Sequence, residues 1–208
     1  MSTLKFQAQV DLLHTSELQF RLASAVRLAT SMEIQPLDLP VVWTHGKHRV
    51  SYREIALRQD QGDFAARCLQ RTATYMLAMA VKDAIRTAVA DPKNSSNAEV
   101  RAAYQIARLI RNAFAHSPFD PVWSIDGDCL GQVFAVRKIV RFDTTNLHGQ
   151  TFDWRHYGGP LALFRLSRFV RKEILGEKPT PRRTFPPPTT EYFQQGSLIL
   201  RRVGEPIS

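Results

Sequence analysis

The sequence predicts a mainly α fold, a helical bundle with a β-hairpin inserted before its last helix and an extended C-terminal tail. Three observations carry this. Apolar residues recur at steps of three and four over several long segments, the period of an α-helix. Two stretches, Ser51-Tyr52-Arg53-Glu54 and Ser96-Asn97-Ala98-Glu99, have the form of a capping box, which opens a helix. Residues 132–142 are rich in Val, Ile and Phe, and the chain beyond Gly176 is rich in proline.

Taken in order, residues 15–30 read as a first helix capped by Thr15 or Ser16, with Leu18, Leu22, Ala25, Val26 and Ala29 as its apolar face. Residues 32–50 hold Pro36, Pro40 and the turn-like His45-Gly46-Lys47-His48, so a loop with two short strands at 41–44 and 49–51 is expected. The first capping box opens a short helix that Gln61-Gly62-Asp63 interrupts. A long helix then covers about 64–90, with Phe64, Cys68, Leu69, Tyr75, Met76, Met79 and Ala80 on its apolar side. Pro92 ends it, because the residue before a proline avoids the helical region.

The second capping box opens a helix that reaches His116, with a core stripe of Val100, Ala103, Ala107, Ile110 and Phe114. Pro118 and Pro121 close it. Residues 121–125 and 132–142, separated by Asp126-Gly127-Asp128, read as the two limbs of the hairpin. After a loop over 143–157, Pro160 is well placed at the first position of a last helix over 161–175, which Gly176 stops. Two parts follow: a helical domain over 1–176 and a tail over 177–208, with a short strand or docking segment at 197–203.

A chain of 208 residues suits one domain with a core plus a tail. Lys and Arg number 28 against 19 Asp and Glu, a net charge of +9, which favours polyanionic partners such as RNA, DNA or acidic lipid head groups. Cys68 and Cys129 belong to no CxxC pair, so neither a disulfide framework nor a thiolate metal site is expected, and no cofactor is implied. The first ten residues lack the apolar core of a signal peptide, and no apolar run reaches the roughly 20 residues of a membrane span. A soluble, cytoplasmic protein without a membrane partner is the expectation.

One hexapeptide carries chemistry: Arg111-Asn112-Ala113-Phe114-Ala115-His116, at the end of a helix. It resembles the Arg-Asn-x-x-x-His signature of the HEPN family, small helical domains that are usually dimeric and in many cases metal-independent endoribonucleases. The resemblance extends over about 15–176 in helical layout, although only the hexapeptide is specific, and it makes the hairpin an insertion. It implies a homodimer, RNA cleavage that leaves a 2′,3′-cyclic phosphate, and a place in a toxin–antitoxin or defence system with a protein antitoxin or regulator as partner. Some members of the family are non-catalytic modules that bind RNA, a nucleotide or a partner protein, and that alternative stays open.

At about 100° per residue, Arg108, Asn112 and His116 share one helical stripe, expected to face solvent opposite the core stripe, with Arg111 flanking it. Such a stripe suits a site assembled across a two-fold axis. RNA cleavage by the 2′-hydroxyl needs a group that moves a proton near neutral pH, the work of His116, and a fixed cation on the phosphate, the work of Arg111. Asn112 is the orienting residue and Arg108 an auxiliary contact. A histidine in the last helical turn also meets the negative end of the helix dipole, which favours the protonated ring of a general acid.

Arg165 and Arg168, with Lys172 and beside Arg171, form either a phosphate-binding stripe or a solvated basic face on the last helix. Phe152, Trp154 and Tyr157, with Arg155 and His156 among them, are either a base-stacking platform or a loop packed on the core. His45 and His48 read as loop residues, His14, His148 and His156 as isolated, and Asp126 and Asp128 as turn residues.

Overall fold

A computed structural model describes residues 5–32, 42–45, 47–51, 57–178, 190–195 and 198–203. Their contacts divide the chain into two units, Met1–Lys178 and Pro179–Ser208. The fold is mainly α. The first unit holds α1 (Gln7–Ser31), the strands β1 (Val42–His45) and β2 (His48–Ser51), α2 (Gly62–Ala88), α3 (Ala98–Ala115), the strands β3 (Val133–Val136) and β4 (Val140–Asp143), and α4 (Pro160–Phe169). The second unit holds an antiparallel pair, β5 (Thr190–Gln195) and β6 (Leu198–Val203), where only the latter segment was expected as a strand. Of the short helix expected from Ser51, residues 52–56 fall outside the described residues, as does the triproline at 186–188; Ser51 itself ends β2, only Gln59–Gln61 forms a 3-10 turn, and Gly62-Asp63 opens α2.

Helix α2 is the hub of the bundle and packs on α1, α3 and α4. Its buried face is built largely of small residues, Ala66, Ala73, Ala78, Ala80 and Ala84, with Leu77, Val81 and Ile85. Small side chains let neighbouring helices approach closely, since interaxial distance follows the residues at the contact. Of the residues expected to face inward, Ala80 is buried and Tyr75 packs against the core, whereas three larger ones do the reverse: Phe64 is 60% exposed, Leu69 45% and Met76 44%. The same inversion occurs on α1. Its buried stripe is Val10, Leu13, Ser16, Glu17, Phe20 and Ala23, whereas Leu18 and Leu22 lie exposed on the opposite side. The helix begins at Gln7, well before the Thr15 expected, and that extra stretch brings Val10 and Leu13 into the core.

On α3 the expected stripe is largely found. Ala103, Ala107, Ile110 and Phe114 are buried, and Val100 is half-buried. The cap is Asn97 and not Ser96: its Oδ1 accepts from the backbone N–H of Glu99 at 3.0 Å and of Val100 at 3.2 Å.

The inserted hairpin is present with different limbs. Residues 121–125 do not pair with the Val/Ile/Phe-rich stretch. They run beside 148–152 instead, with an isolated bridge between Val122 and Thr151 and a bond from Trp123 N to Gln150 O of 2.8 Å. The hairpin is β3 with β4, inside the single stretch 133–143. Its turn, Arg137-Lys138-Ile139, has no glycine or asparagine to announce it. Arg137 takes the left-handed φ of 43° and Ile139 N bonds Val136 O at 2.9 Å. The Arg137 guanidinium is held by Glu99 at 3.3 Å and Glu173 at 3.0 Å and lies over the Phe169 ring.

Trp123, Phe142, Phe152 and Tyr157 pack ring against ring below α3, with Phe114 on Phe152. Phe152 and Tyr157 are thus core residues and not a stacking platform. Burial pushes the Tyr157 hydroxyl well above its usual range, so it stays protonated. Gly158 and Gly159, both at positive φ, turn the chain into α4, where Pro160 takes the first turn as expected. From Val170 to Ile174 the helix continues as one π-helical turn, and Gly176 at φ 73° ends it. Among the described residues no helix is long and apolar enough to cross a membrane.

Candidate functional site

The six candidate residues fall into three settings. The first is a polar ladder on α3. Arg108 does not face solvent: its side chain is only 18% exposed, because the segment 126–129 folds over it. Its guanidinium meets Asp126 at 3.2 Å and Asp128 at 3.2 Å, and Nη2 lies 3.1 Å from the Cys129 thiol. Asn112 Nδ2 donates to Asp126 Oδ2 at 3.1 Å, and Arg111 Nη1 donates to Asn112 Oδ1 at 3.2 Å. Lys93 Nζ reaches Asp128 at 2.8 Å.

The pair Asp126 and Asp128, expected to be turn residues only, therefore matches the charges of Arg108 and Lys93 one for one. Lys93 and then Arg108 hold the Asp128 carboxyl below its usual range. An internally cancelled group of this kind attracts a phosphate weakly. It also corrects the expected solvent-facing stripe, since the chain's own inserted segment covers that face at Arg108. Burial raises the Cys129 thiol, so it is not a thiolate at neutral pH. The Arg111 Nε–H is buried and has no hydrogen-bond partner among the described residues.

The second setting is a cleft of about 250 Å³ at the C-terminal end of the same helix. His116, the residue that ends α3, is exposed and lines it together with His148, Ser117 and Ser124. The chain closes the floor: Val122 N–H returns to the Ala113 carbonyl at 3.2 Å, and Gly149 N bonds Trp123 O at 2.9 Å. His148, read from sequence as isolated, thus shares a site with His116. Its Nδ1 lies 3.2 Å from Ile125 N and 3.1 Å from Ile125 O, so one backbone residue serves either tautomer. The ring can gain or lose a proton at Nε2 while Nδ1 stays anchored. Among the described residues no carboxylate lines the cleft, and Arg111 is not in its lining. The hexapeptide's arginine and histidine are therefore not brought into one cleft within the protomer.

The third setting is the basic stripe of α4. Arg165 and Arg168 are exposed and have no ion-pair partner among the described residues. Arg171 does not belong with them. It sits in the π-turn, 6% exposed, with Nε and Nη2 donating to the two oxygens of buried Glu17 at 3.0 and 2.9 Å. Glu177 closes on its Nη1, which also lies 2.9 Å from His14 Nε2, and Ser167 Oγ donates to Glu17 Oε1 at 2.6 Å. This buried network ties α1 to the end of α4. Sequence reasoning missed it because Glu17 and Arg171 are 154 residues apart. His14 and His156 are likewise engaged, the latter accepting from Trp123 Nε1 at 2.8 Å.

Among the described residues no group of three or more His, Cys, Asp or Glu is placed to hold a metal ion. No family model matches the chain. No curated protein matches it. No solved structure matches it.

Proposed function

We propose that the chain is a metal-independent endoribonuclease of HEPN type, with His116 and His148 as its proton-transfer pair. The observation that carries this reading is that His116 and His148 line one cleft, with no carboxylate among its described lining residues. One neutral imidazole takes the proton of the ribose 2′-hydroxyl as its oxygen attacks the adjacent phosphorus. The other, protonated, gives its proton to the departing 5′-oxygen. The products are a 2′,3′-cyclic phosphate and a 5′-hydroxyl. Ser117 and Ser124 supply hydroxyl donors for the non-bridging oxygens. The exposed Arg165 and Arg168 supply the positive charge that a polyanion needs. Homodimerisation, an antitoxin or regulatory partner and a cytoplasmic setting belong to this same proposal.

A second reading, a non-catalytic module that binds RNA or a partner protein, draws on a different observation, the ladder in which Asp126 and Asp128 occupy Arg108 and Asn112. Cleavage of a mixed RNA in EDTA separates the two. The nuclease reading expects cleavage that survives chelation, leaves a cyclic phosphate, and falls in both His116→Ala and His148→Ala. RNA binding without cleavage would establish the module instead.

A further inference from the structure

A second pocket, of about 650 Å³, lies between α1 and α4 and shares no residue with the histidine cleft. Its volume is in the range of pockets that enclose a small organic ligand. Phe20, Trp154 and Phe164 line it, three aromatic side chains from three separate segments. Two polar atoms on residues of its lining are orphaned. Ser24 Oγ and Trp154 Nε1 are closed off from solvent and have no hydrogen-bond partner among the described residues, so a ligand meets them once the two side chains turn toward the pocket.

An indole N–H can only donate, and a serine hydroxyl also has a proton to give. Buried donors without acceptors are unfavourable, and native structures pair nearly all of them. What is missing at this pocket is therefore an acceptor. The pocket's charge points the same way. Arg21 lines it and has no ion-pair partner among the described residues. Arg27, its other cation, is paired with Asp63 at 2.6 Å, so the nearby acid is already matched and does not repel an anion.

We infer that this pocket binds an aromatic carboxylate, its ring against Phe20, Trp154 and Phe164 and its carboxylate accepting from Trp154 Nε1–H and Ser24 Oγ–H beside Arg21. A carboxylate supplies two acceptor oxygens and one negative charge, which matches two orphan donors and one unpaired guanidinium.

The test is calorimetric titration of the full chain with 2-naphthoate and with 2-naphthamide, which keeps the ring and loses the charge. The expected result is saturable one-to-one binding, with the carboxylate tighter by about tenfold or more. Arg21→Ala should remove that advantage while binding of the amide stays unchanged. Trp154→Phe, which keeps an aromatic ring and deletes the donor, should identify one indole N–H resonance among those of Trp43, Trp123 and Trp154. That resonance should shift when 2-naphthoate binds. Absence of saturable binding by the folded wild type would overturn the inference. So would equal affinity for acid and amide, or an Arg21→Ala variant that binds both as before.

Discussion

Arg108 and His116 occupy the same helix and the same stripe, yet the folded chain treats them in opposite ways. Around Arg108 the segment 126–129 closes over the helix, and Asp126 and Asp128 cancel the cations beneath them. Around His116 the helix has ended, the backbone has turned away, and His148 arrives from a distant loop to share the opening. Helical spacing placed both residues on one face, but only partners from elsewhere in the chain decide which of them stays available. A stripe read from spacing alone therefore does not say which of its residues the folded chain leaves accessible.

The largest effect that sharpens this contrast is on cleavage. His116→Ala and His148→Ala should each lower the rate by on the order of 10²–10⁴, the usual contribution of a positioned acid or base. Arg108→Ala should change the rate only severalfold and instead lower stability, because it leaves Asp126 and Asp128 without their shared cation. Rates at saturating RNA, with melting temperatures for each variant, measure both. A loss in Arg108→Ala as deep as in His116→Ala, at unchanged stability, would break the comparison. The wild-type rate should also follow a bell-shaped pH profile, because one imidazole must be neutral while the other carries a proton.

Next in size is stability. Arg171→Met strands buried Glu17 and should cost about 3–5 kcal/mol, a fall in melting temperature on the order of 10 °C. Arg165→Ala and Arg168→Ala, on the exposed side of α4, should stay within about 0.5 kcal/mol. If they contact RNA, each should reduce the salt dependence of binding by about one counterion. Fluorescence-anisotropy titrations over a range of salt concentrations would read this.

A smaller effect concerns acid. Hydrogen bonds from the Arg155 side chain and its backbone N–H hold the Asp153 carboxyl down to about 2. The folded state then binds fewer protons than the unfolded state, so this contribution is complete above about pH 4 and fades as pH falls toward 2. Asp153→Asn should flatten the stability curve in that window, lowering stability most above about pH 4, neutrality included, and least near pH 2. Smallest is a difference in thiol labelling: Cys68, half-buried, should react with iodoacetamide well before buried Cys129, whose thiol is raised by burial.

Element type was legible where local chemistry speaks, as in the 3.6-residue period of α3, Pro160 opening α4 and Gly176 closing it. Face assignment was less so. Both α1 and α2 carry two apolar stripes, and the chain buries the one with smaller residues on α2 and the earlier one on α1. Composition ranks the stripes by side-chain size, whereas close helix packing ranks them by fit. The hairpin was legible as a β-rich stretch but not in its pairing, because a left-handed Arg137 carries no local signature. At the site, His116 and the motif were visible in the sequence. His148 was not, because 32 positions and an irregular loop separate it from His116, and no periodicity spans them.

The most direct test of the account uses two oligonucleotides that differ in one atom: a DNA strand with a single ribonucleotide, and the same strand with that 2′-hydroxyl removed. With EDTA present, the account predicts that the wild type cuts only the first, 3′ to the ribonucleotide, leaving a cyclic phosphate, and that His116→Ala and His148→Ala cut neither. Cutting of both strands, or equal cutting by wild type and the two variants, would contradict it.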